Sequence, residues 1–564
     1  MSHSDPGSQW WRSAVVYQVY PRSFQDSDGD GVGDIPGIIS RLDYLHELGV
    51  DVIWLSPVYR SPHDDNGYDI SDYEDIDPTF GTLADIDELI AQLHTRGMKL
   101  VMDLVVNHTS DEHAWFIDSR SSRDSARADW YMWHDPRPGA VGGQPGAEPN
   151  NWGSFFSGSA WQWEPARGQY YLHLFSRKQP DLNWESPAVR DAIHAMMNRW
   201  LDRGIDGFRM DVINFISKDA ALPDGAVLET GFGDGMPFFA NGPRLQEYLA
   251  EMKAAVFDGR SADYLTVGEM PDATPELAAS LTDARTGQLS MIFQFEHVGL
   301  DHDGVKWNAG ELDIRDLKKS FGKWQSALAD HGWNSLYWNN HDQPRIVSRW
   351  GNDREHWYAS ATALATVLHL HRGTPYVYQG EELGMTNVPF DDISALRDIE
   401  SVNHYAVAVD MLGQEPAAVL GALRAMSRDN ARTPMQWTAE PGAGFTAATP
   451  WIGVNPNHDR VNAAAQIDDP NSIFAHYRRL IALRHSDPVV VHGDFRMLLP
   501  DDPSVYAFAR ELEGTTLVVV ANLSDQAAPC DLSGDDLVFT NLPEDAASGV
   551  LAPWEARVYR STRA

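Results

Sequence analysis

Asp103, Asp211, Glu269 and Asp342 each stand at the end of a short apolar run in this 564-residue chain, with His108, Arg209 and His341 close by in the same runs. Two carboxyl groups flanking a bond can cleave a glycoside, one attacking or activating water while the other protonates the leaving oxygen. A lone aspartate at a strand end often does no more than cap the next helix. Four acids converging on one cavity are harder to explain that way, because burying them together costs stability unless function requires it. Arg209 precedes Asp211 by two positions, so both would share one face of a strand. A guanidinium there favours the ionised form of Asp211.

The runs that must position these side chains are "AVVYQVY" (14–20), "DVIWLSP" (51–57), "KLVMDLVVNH" (99–108), "IDGFRMDVI" (205–213), "DYLTVGEM" (263–270), "LSMIFQFEH" (289–297), "NSLYWNNHD" (334–342) and "TPYVYQGEE" (374–382). Helical patterns separate them, and eight such units predict a (β/α)8 TIM barrel, whose chemistry sits at the carboxyl ends of its strands. In residues 186–204, Ser186 is the expected N-cap, Pro187 takes N1 and Gly204 ends the helix. Val189, Ile193, Met197, Trp200 and Leu201 fall on its core face.

Two connections are too long to be simple loops. Residues 109–182, rich in Gly and Pro before the strand-like "QYYLHLF", predict an inserted small domain B after strand three. A second insertion, about 383–455, follows strand eight. The barrel thus takes 1–108 and 183–487, and from 488 to 564 strand patterns alone remain, which predicts a C-terminal antiparallel β-sandwich domain.

Composition narrows the partners. The formal charge of −37 opposes nucleic acid, whose phosphates need Lys and Arg, and opposes anionic membrane surfaces. The 20 Trp, 19 Tyr and 21 Phe supply a large core, and also the ring faces on which a sugar packs. Cys530 is the single cysteine, so an internal disulfide is impossible. No apolar stretch is long enough to span a bilayer, and "MSHSDPGSQWWRS" does not read as a signal peptide. A soluble, cytoplasmic monomer is the expectation.

The stretch "DSDGDGVGD" (26–34) has the alternating acids and glycines of a calcium loop. It is not an EF-hand: position twelve, counted from Asp26, is Gly37, and a strand pattern precedes it. From residue types alone it is either a metal site or a solvated acidic turn.

Six motifs in order carry a resemblance across nearly the whole chain. "DLVVNH" (103–108), "GFRMDVI" (207–213), "VGEM" (267–270) and "NNHD" (339–342) resemble the four signature regions of the α-amylase superfamily, glycoside hydrolase family thirteen. "QPDLNW" (179–184) and "RDNARTPMQW" (428–437) are similar to stretches of its oligo-1,6-glucosidase and α-glucosidase group. The resemblance implies that Asp211 is the nucleophile, Glu269 the general acid and base, and Asp342 the carboxylate that holds the 2- and 3-hydroxyls of the distorted sugar. It implies that His108 and His341 hydrogen-bond the same glucose, and that Tyr68 stacks on it. Asp69 would bind the terminal 4- and 6-hydroxyls and pair with Arg428, or with Arg432, to close an exo-acting pocket. It also implies a structural calcium on Asp26, Asp28, Asp30, Asp34 and the carbonyl of Val32.

Val212, next to the nucleophile, accompanies α-1,6 specificity in the group this chain resembles, where smaller residues or threonine accompany α-1,4. Lys306 in "VKWN" and Glu400 in "RDIE" match residues that hold the second sugar of such substrates. The expectation is a retaining, exo-acting α-glucosidase on short oligosaccharides of the isomaltose kind. The alternatives are an enzyme acting on sucrose, trehalose or trehalose 6-phosphate, or a transglycosylating isomerase. Against these, "DDISALRDIE" holds only Arg397, and no basic cluster for a phosphate stands out apart from Lys306. A non-catalytic module on the same fold would tolerate lost acids, and none is lost here.

Overall fold

Eight short strands hydrogen-bond in parallel, and all of their residues but Lys99, the first of one strand, are buried because helices cover the outside and side chains fill the inside. In the computed structural model, which describes residues 9–543 and 549–562, they are β1 (Val16–Val19), β2 (Val52–Leu55), β3 (Lys99–Val105), β4 (Gly207–Asp211), β5 (Leu265–Glu269), β6 (Met291–Phe293), β7 (Ser335–Leu336) and β8 (Thr374–Tyr378). Each lies inside one of the eight runs read from sequence. The sheet runs β6-β5-β4-β3-β2-β1-β8-β7, and a parallel bridge between Ile292 and Asn334 joins β6 to β7 and closes the barrel.

Register does the positioning. Asp103 pairs with Arg209 across β3 and β4, and Arg209 with Val267 across β4 and β5. Two residues further on, Asp211 and Glu269 therefore reach the same level on the same inward face.

The helix Pro187–Arg203 that leads into β4 buries Val189, Ile193, Met197, Trp200 and Leu201 as the periodicity requires, and Gly204 ends it in the left-handed region at φ 119°. Ser186 occupies the N-cap position, but its hydroxyl makes no capping bond. Pro187 at N1 has no amide to satisfy, which lessens the demand on a cap there.

The long segment after β3 contains a three-stranded antiparallel sheet, Trp133–His134, Gln169–Leu172 and Trp161–Glu164, and an antiparallel bridge between His108 and Asp181 ties it to the end of β3. The segment after β8 carries helices Ile399–Tyr405, Pro416–Met426 and Asp429–Arg432. Beyond the barrel, Asp494–Leu498, Val505–Leu512, Thr515–Asn522, Ala556–Thr562 and Asp536–Thr540 pair in that order as an antiparallel sheet, with a second ladder between Ala528–Pro529 and Val550–Leu551. Arg510 fastens this part to the barrel by donating to the carbonyls of Leu370 and Val490 at 2.8 Å.

Candidate active site

Arg209 sits at the centre, 1% exposed, where its guanidinium meets Asp103 at 2.8 Å, Asp211 at 2.6 Å and Glu269 at 2.6 Å. The Trp54 ring lies 5.0 Å away as a cation–π partner, and the Trp54 Nε1–H and Tyr68 hydroxyl each donate to Asp103 at 3.0 Å. Glu269 Oε2 accepts from the backbone N–H of Val212 at 3.1 Å. Val212 reaches that position at φ 34°, a left-handed backbone that is a genuine outlier for a β-branched residue.

One guanidinium cannot balance three buried carboxylates. Burial pushes Asp211 well above the usual carboxylate range, with Arg209 working against it and Glu269 and Asp103 adding to it. Glu269 is raised for the same first reason, and Asp342 adds to it. The expectation that Arg209 by itself holds Asp211 ionised therefore leaves out burial and the neighbouring acids. Burial thus raises both members of the Asp211–Glu269 pair, and a raised carboxyl is what the general acid Glu269 needs.

Asp342 has a different environment. His341 Nε2 lies 3.1 Å from it, Arg432 2.7 Å and Arg428 3.2 Å. Burial works to raise its carboxyl, yet the guanidiniums of Arg428 and Arg432 hold it well below the usual range. It is held toward the ionised form beside two acids that burial pushes the other way.

Asp211, Glu269 and Asp342 line a cavity of about 210 Å³ together with Asp65, Tyr68, His108, Val212, Lys306, Glu400 and Arg428. His108, lowered to about 4 by burial, is neutral at its wall. Asp103, Arg209 and His341 are not in the wall but lie behind the groups that are. Lys306 and Glu400 form an ion pair at 2.6 Å. A larger cavity, about 470 Å³, lies between the segment after β3 and the loop after β4, but none of the strand-end carboxylates lines it.

Asp69 is not the acid that meets Arg428. Its carboxylate is consumed by its own loop, accepting from the Asp64 N–H at 2.8 Å, the Asp65 N–H at 3.1 Å and the Ser61 hydroxyl at 3.0 Å. Asn66 at φ 50° and Gly67 at φ 107° reverse the chain so that Asp65 faces the pocket and meets Arg428 at 3.2 Å. Asp65 is pushed up to about 7 by burial, which Arg428 opposes. Arg428 also meets Asp398 at 2.5 Å and Glu400 at 3.4 Å, while Arg432 turns to Asp342. The "DDNGYD" stretch offers three acids in six residues, and nothing in residue type says which faces inward. Asp398 lies within "RDIE", where the resemblance points to Glu400, and the lining rings Phe155, Phe156, Phe175, Phe215 and Phe295 carry no motif that would single them out.

On the loop after β1, single carboxylate oxygens of Asp26, Asp28 and Asp34 lie within 4.8 Å of one another. Asp30 stands outside this group, its carboxylate accepting from the Val32 N–H at 2.7 Å. Oxygen donors at this spacing fit a hard cation such as calcium.

The description "Alpha amylase, catalytic domain" matches residues 18–493, and "Maltogenic Amylase, C-terminal domain" matches 495–562. The chain belongs to the α-amylase family. Within that family, the oligo-1,6-glucosidase of Halalkalibacterium halodurans is 54% identical over 98% of this chain and 99% of its own. The trehalose-6-phosphate hydrolase of Bacillus licheniformis superposes with a TM-score of 0.92 at 46% identity, covering 98% of this chain and 100% of that one. An isomaltulose synthase from Erwinia rhapontici NX5, solved with sucrose, gives 0.92 at 39% identity, covering 99% and 100%. This α-amylase family member is a glycoside hydrolase. Among its described residues no helix is long and apolar enough to cross a membrane.

Proposed function

We propose that the enzyme is a retaining, exo-acting α-glucosidase on short oligosaccharides, with preference for terminal α-1,6 links. The observation that carries the reading is that Asp211 and Glu269, joined by Arg209, face a pocket that also holds the Arg428–Asp65 pair. A terminal glucose is the unit such a pocket accommodates.

In the first step an Asp211 oxygen attacks the anomeric carbon, the glycosidic C–O bond breaks, and Glu269 gives its proton to the leaving oxygen. In the second, Glu269 takes a proton from water, whose oxygen attacks the same carbon as the bond to Asp211 breaks. Two inversions return the α anomer. Asp342, held ionised, accepts hydrogen bonds from the 2- and 3-hydroxyls and contributes most where the ring is oxocarbenium-like.

The α-1,6 preference is supported by Val212, Lys306 and Glu400 lining the cavity, and by the name of the 54% identical relative. Among the described residues of the lining, the cations Lys306 and Arg428 are both paired to carboxylates, which disfavours a phosphorylated sugar. A rate comparison across isomaltose, maltose, sucrose, trehalose and trehalose 6-phosphate tests the reading. Isomaltose should lead; a lead for maltose would refute the linkage preference, and a lead for one of the other three would refute the substrate class.

We further propose that the Asp26, Asp28 and Asp34 group holds a calcium ion that braces the loop after β1 and takes no part in the reaction. The lone cysteine, Cys530, supports a reducing, cytoplasmic compartment, and a monomer suffices for a site built from one chain.

A further inference from the structure

Gln18, in the middle of β1 and 1% exposed, has no place in the catalytic scheme above, yet its carboxamide points at it. One Nε2 hydrogen reaches Ser56 Oγ at 3.1 Å and the other reaches His341 Nδ1 at 2.8 Å. On the far side of the same imidazole, Nε2 faces Asp342 Oδ2 at 3.1 Å. The ring plane is set by stacking on Tyr68, at 5.0 Å and 2°, and on Tyr20, at 6.0 Å and 17°, with the Trp54 edge at 6.0 Å. Packing thus fixes where the ring lies, but not which nitrogen carries the proton.

That choice matters because an ionised carboxylate only accepts hydrogen bonds. With Asp342 Oδ2 only 3.1 Å from Nε2, a hydrogen on Nε2 is favoured and one on Nδ1 would leave two lone pairs opposed, so in a neutral ring Nδ1 is the acceptor. The ring is neutral: burial lowers it to about 3, with Arg209, Arg432 and Arg428 lowering it further and Asp342 alone opposing. Turning the carboxamide over would put Oε1 against Nδ1, draw the proton there, and leave two acceptors facing each other across the 3.1 Å to Asp342. The donor is then Gln18 Nε2, an orientation that leaves the buried Gln18 Oε1 without a hydrogen-bond partner.

We propose that Gln18 is a positioning residue that fixes His341 as its Nε2–H tautomer and through it holds Asp342 in place for the sugar hydroxyls. The proposal rests on the reading of Asp342 as a catalytic carboxylate. Gln18 never touches substrate; its effect passes along the chain Ser56, Gln18, His341, Asp342.

Gln18→Glu tests this with almost no change of shape. A carboxylate opposite Nδ1 demands one additional proton between the introduced acid and the ring. While that proton is bound, Nε2–H still holds Asp342, and the variant works. As pH rises and the proton leaves, Nδ1 and Nε2 compete for the one that remains. kcat of the variant should therefore fall on the alkaline side at a lower pH than the parent's, whose own alkaline limb is set by the loss of Glu269's proton. Gln18→Leu, which removes the donor, should lose about tenfold to a hundredfold in kcat at every pH, with a smaller change in KM. A Gln18→Glu profile that superimposes on the parent's overturns the proposal. Asp342→Asn separates the two claims: if it keeps the parent's kcat the catalytic reading fails, and if it is inactive while Gln18→Glu is unchanged only the role of Gln18 fails. Should neither Gln18 variant fold, two-bond 1H–15N spectra of the parent decide, with the His341 signals assigned by their loss in His341→Gln. An Nε2–H ring upholds the proposal, and an Nδ1–H ring overturns it.

Discussion

The amide of Val212, the residue after Asp211, donates to Glu269 Oε2 at 3.1 Å, so the backbone that carries the nucleophile also holds the acid opposite it. The left-handed turn at Val212 that aims this N–H is strain stored at the site of reaction.

Because the two acids act in sequence, their variants should fail differently. Asp211→Asn should lose several orders of magnitude in kcat on every substrate. Glu269→Gln should lose about 10²–10⁴ on isomaltose, and far less in forming the glycosyl-enzyme from a dinitrophenyl α-glucoside, whose leaving group needs no proton. Stopped-flow release of the phenol separates the cases. Near-normal turnover of isomaltose by either variant would remove that residue from the mechanism.

Asp65 and Asp69 give a second contrast. Asp65→Asn breaks a charged contact with Arg428 inside the pocket and should lower kcat/KM by about thirtyfold, the equivalent of about 2 kcal/mol. Asp69→Asn loosens the loop that aims Asp65 and should act chiefly on the melting temperature. Steady-state kinetics beside calorimetry checks both, and the reverse ranking would restore Asp69 as the pocket acid.

Chelation should lower the melting temperature, and added calcium should restore it. Asp28→Asn should weaken this response more than Asp30→Asn, since Asp30 lies outside the group of three. A melting curve indifferent to both chelator and calcium would argue that the turn holds itself together by hydrogen bonds alone.

Glu381, behind β8, is pushed up to about 8 from 4.5 by burial, with Glu382 adding and the Tyr477 hydroxyl opposing. The folded state binds its proton more tightly than the unfolded chain, so the stability it contributes is present below about pH 4.5 and is lost as pH rises toward 8. Glu381→Gln should flatten the decline in melting temperature between those pH values. An unchanged slope would mean that the proton sits elsewhere.

Much of this protein was legible without coordinates. A strand alternates its faces every second residue, so Arg209 and Asp211 had to point the same way, and apolar runs bounded by acids had to be barrel strands ending at the site. These are local rules, carried by neighbours in the chain. Three features were decided only by tertiary structure. Asp65 faces the pocket and Asp69 does not because a turn at Asn66 and Gly67 sets the direction of the loop, and the turn is fixed by what it packs against. The raised carboxyls of Asp103, Asp211 and Glu269 follow from three strands being brought into register around one guanidinium in a dry interior. Gln18 meets His341 across 323 residues of sequence. Contacts of that kind depend on how remote strands close into a ring, and spacing along the chain does not encode them.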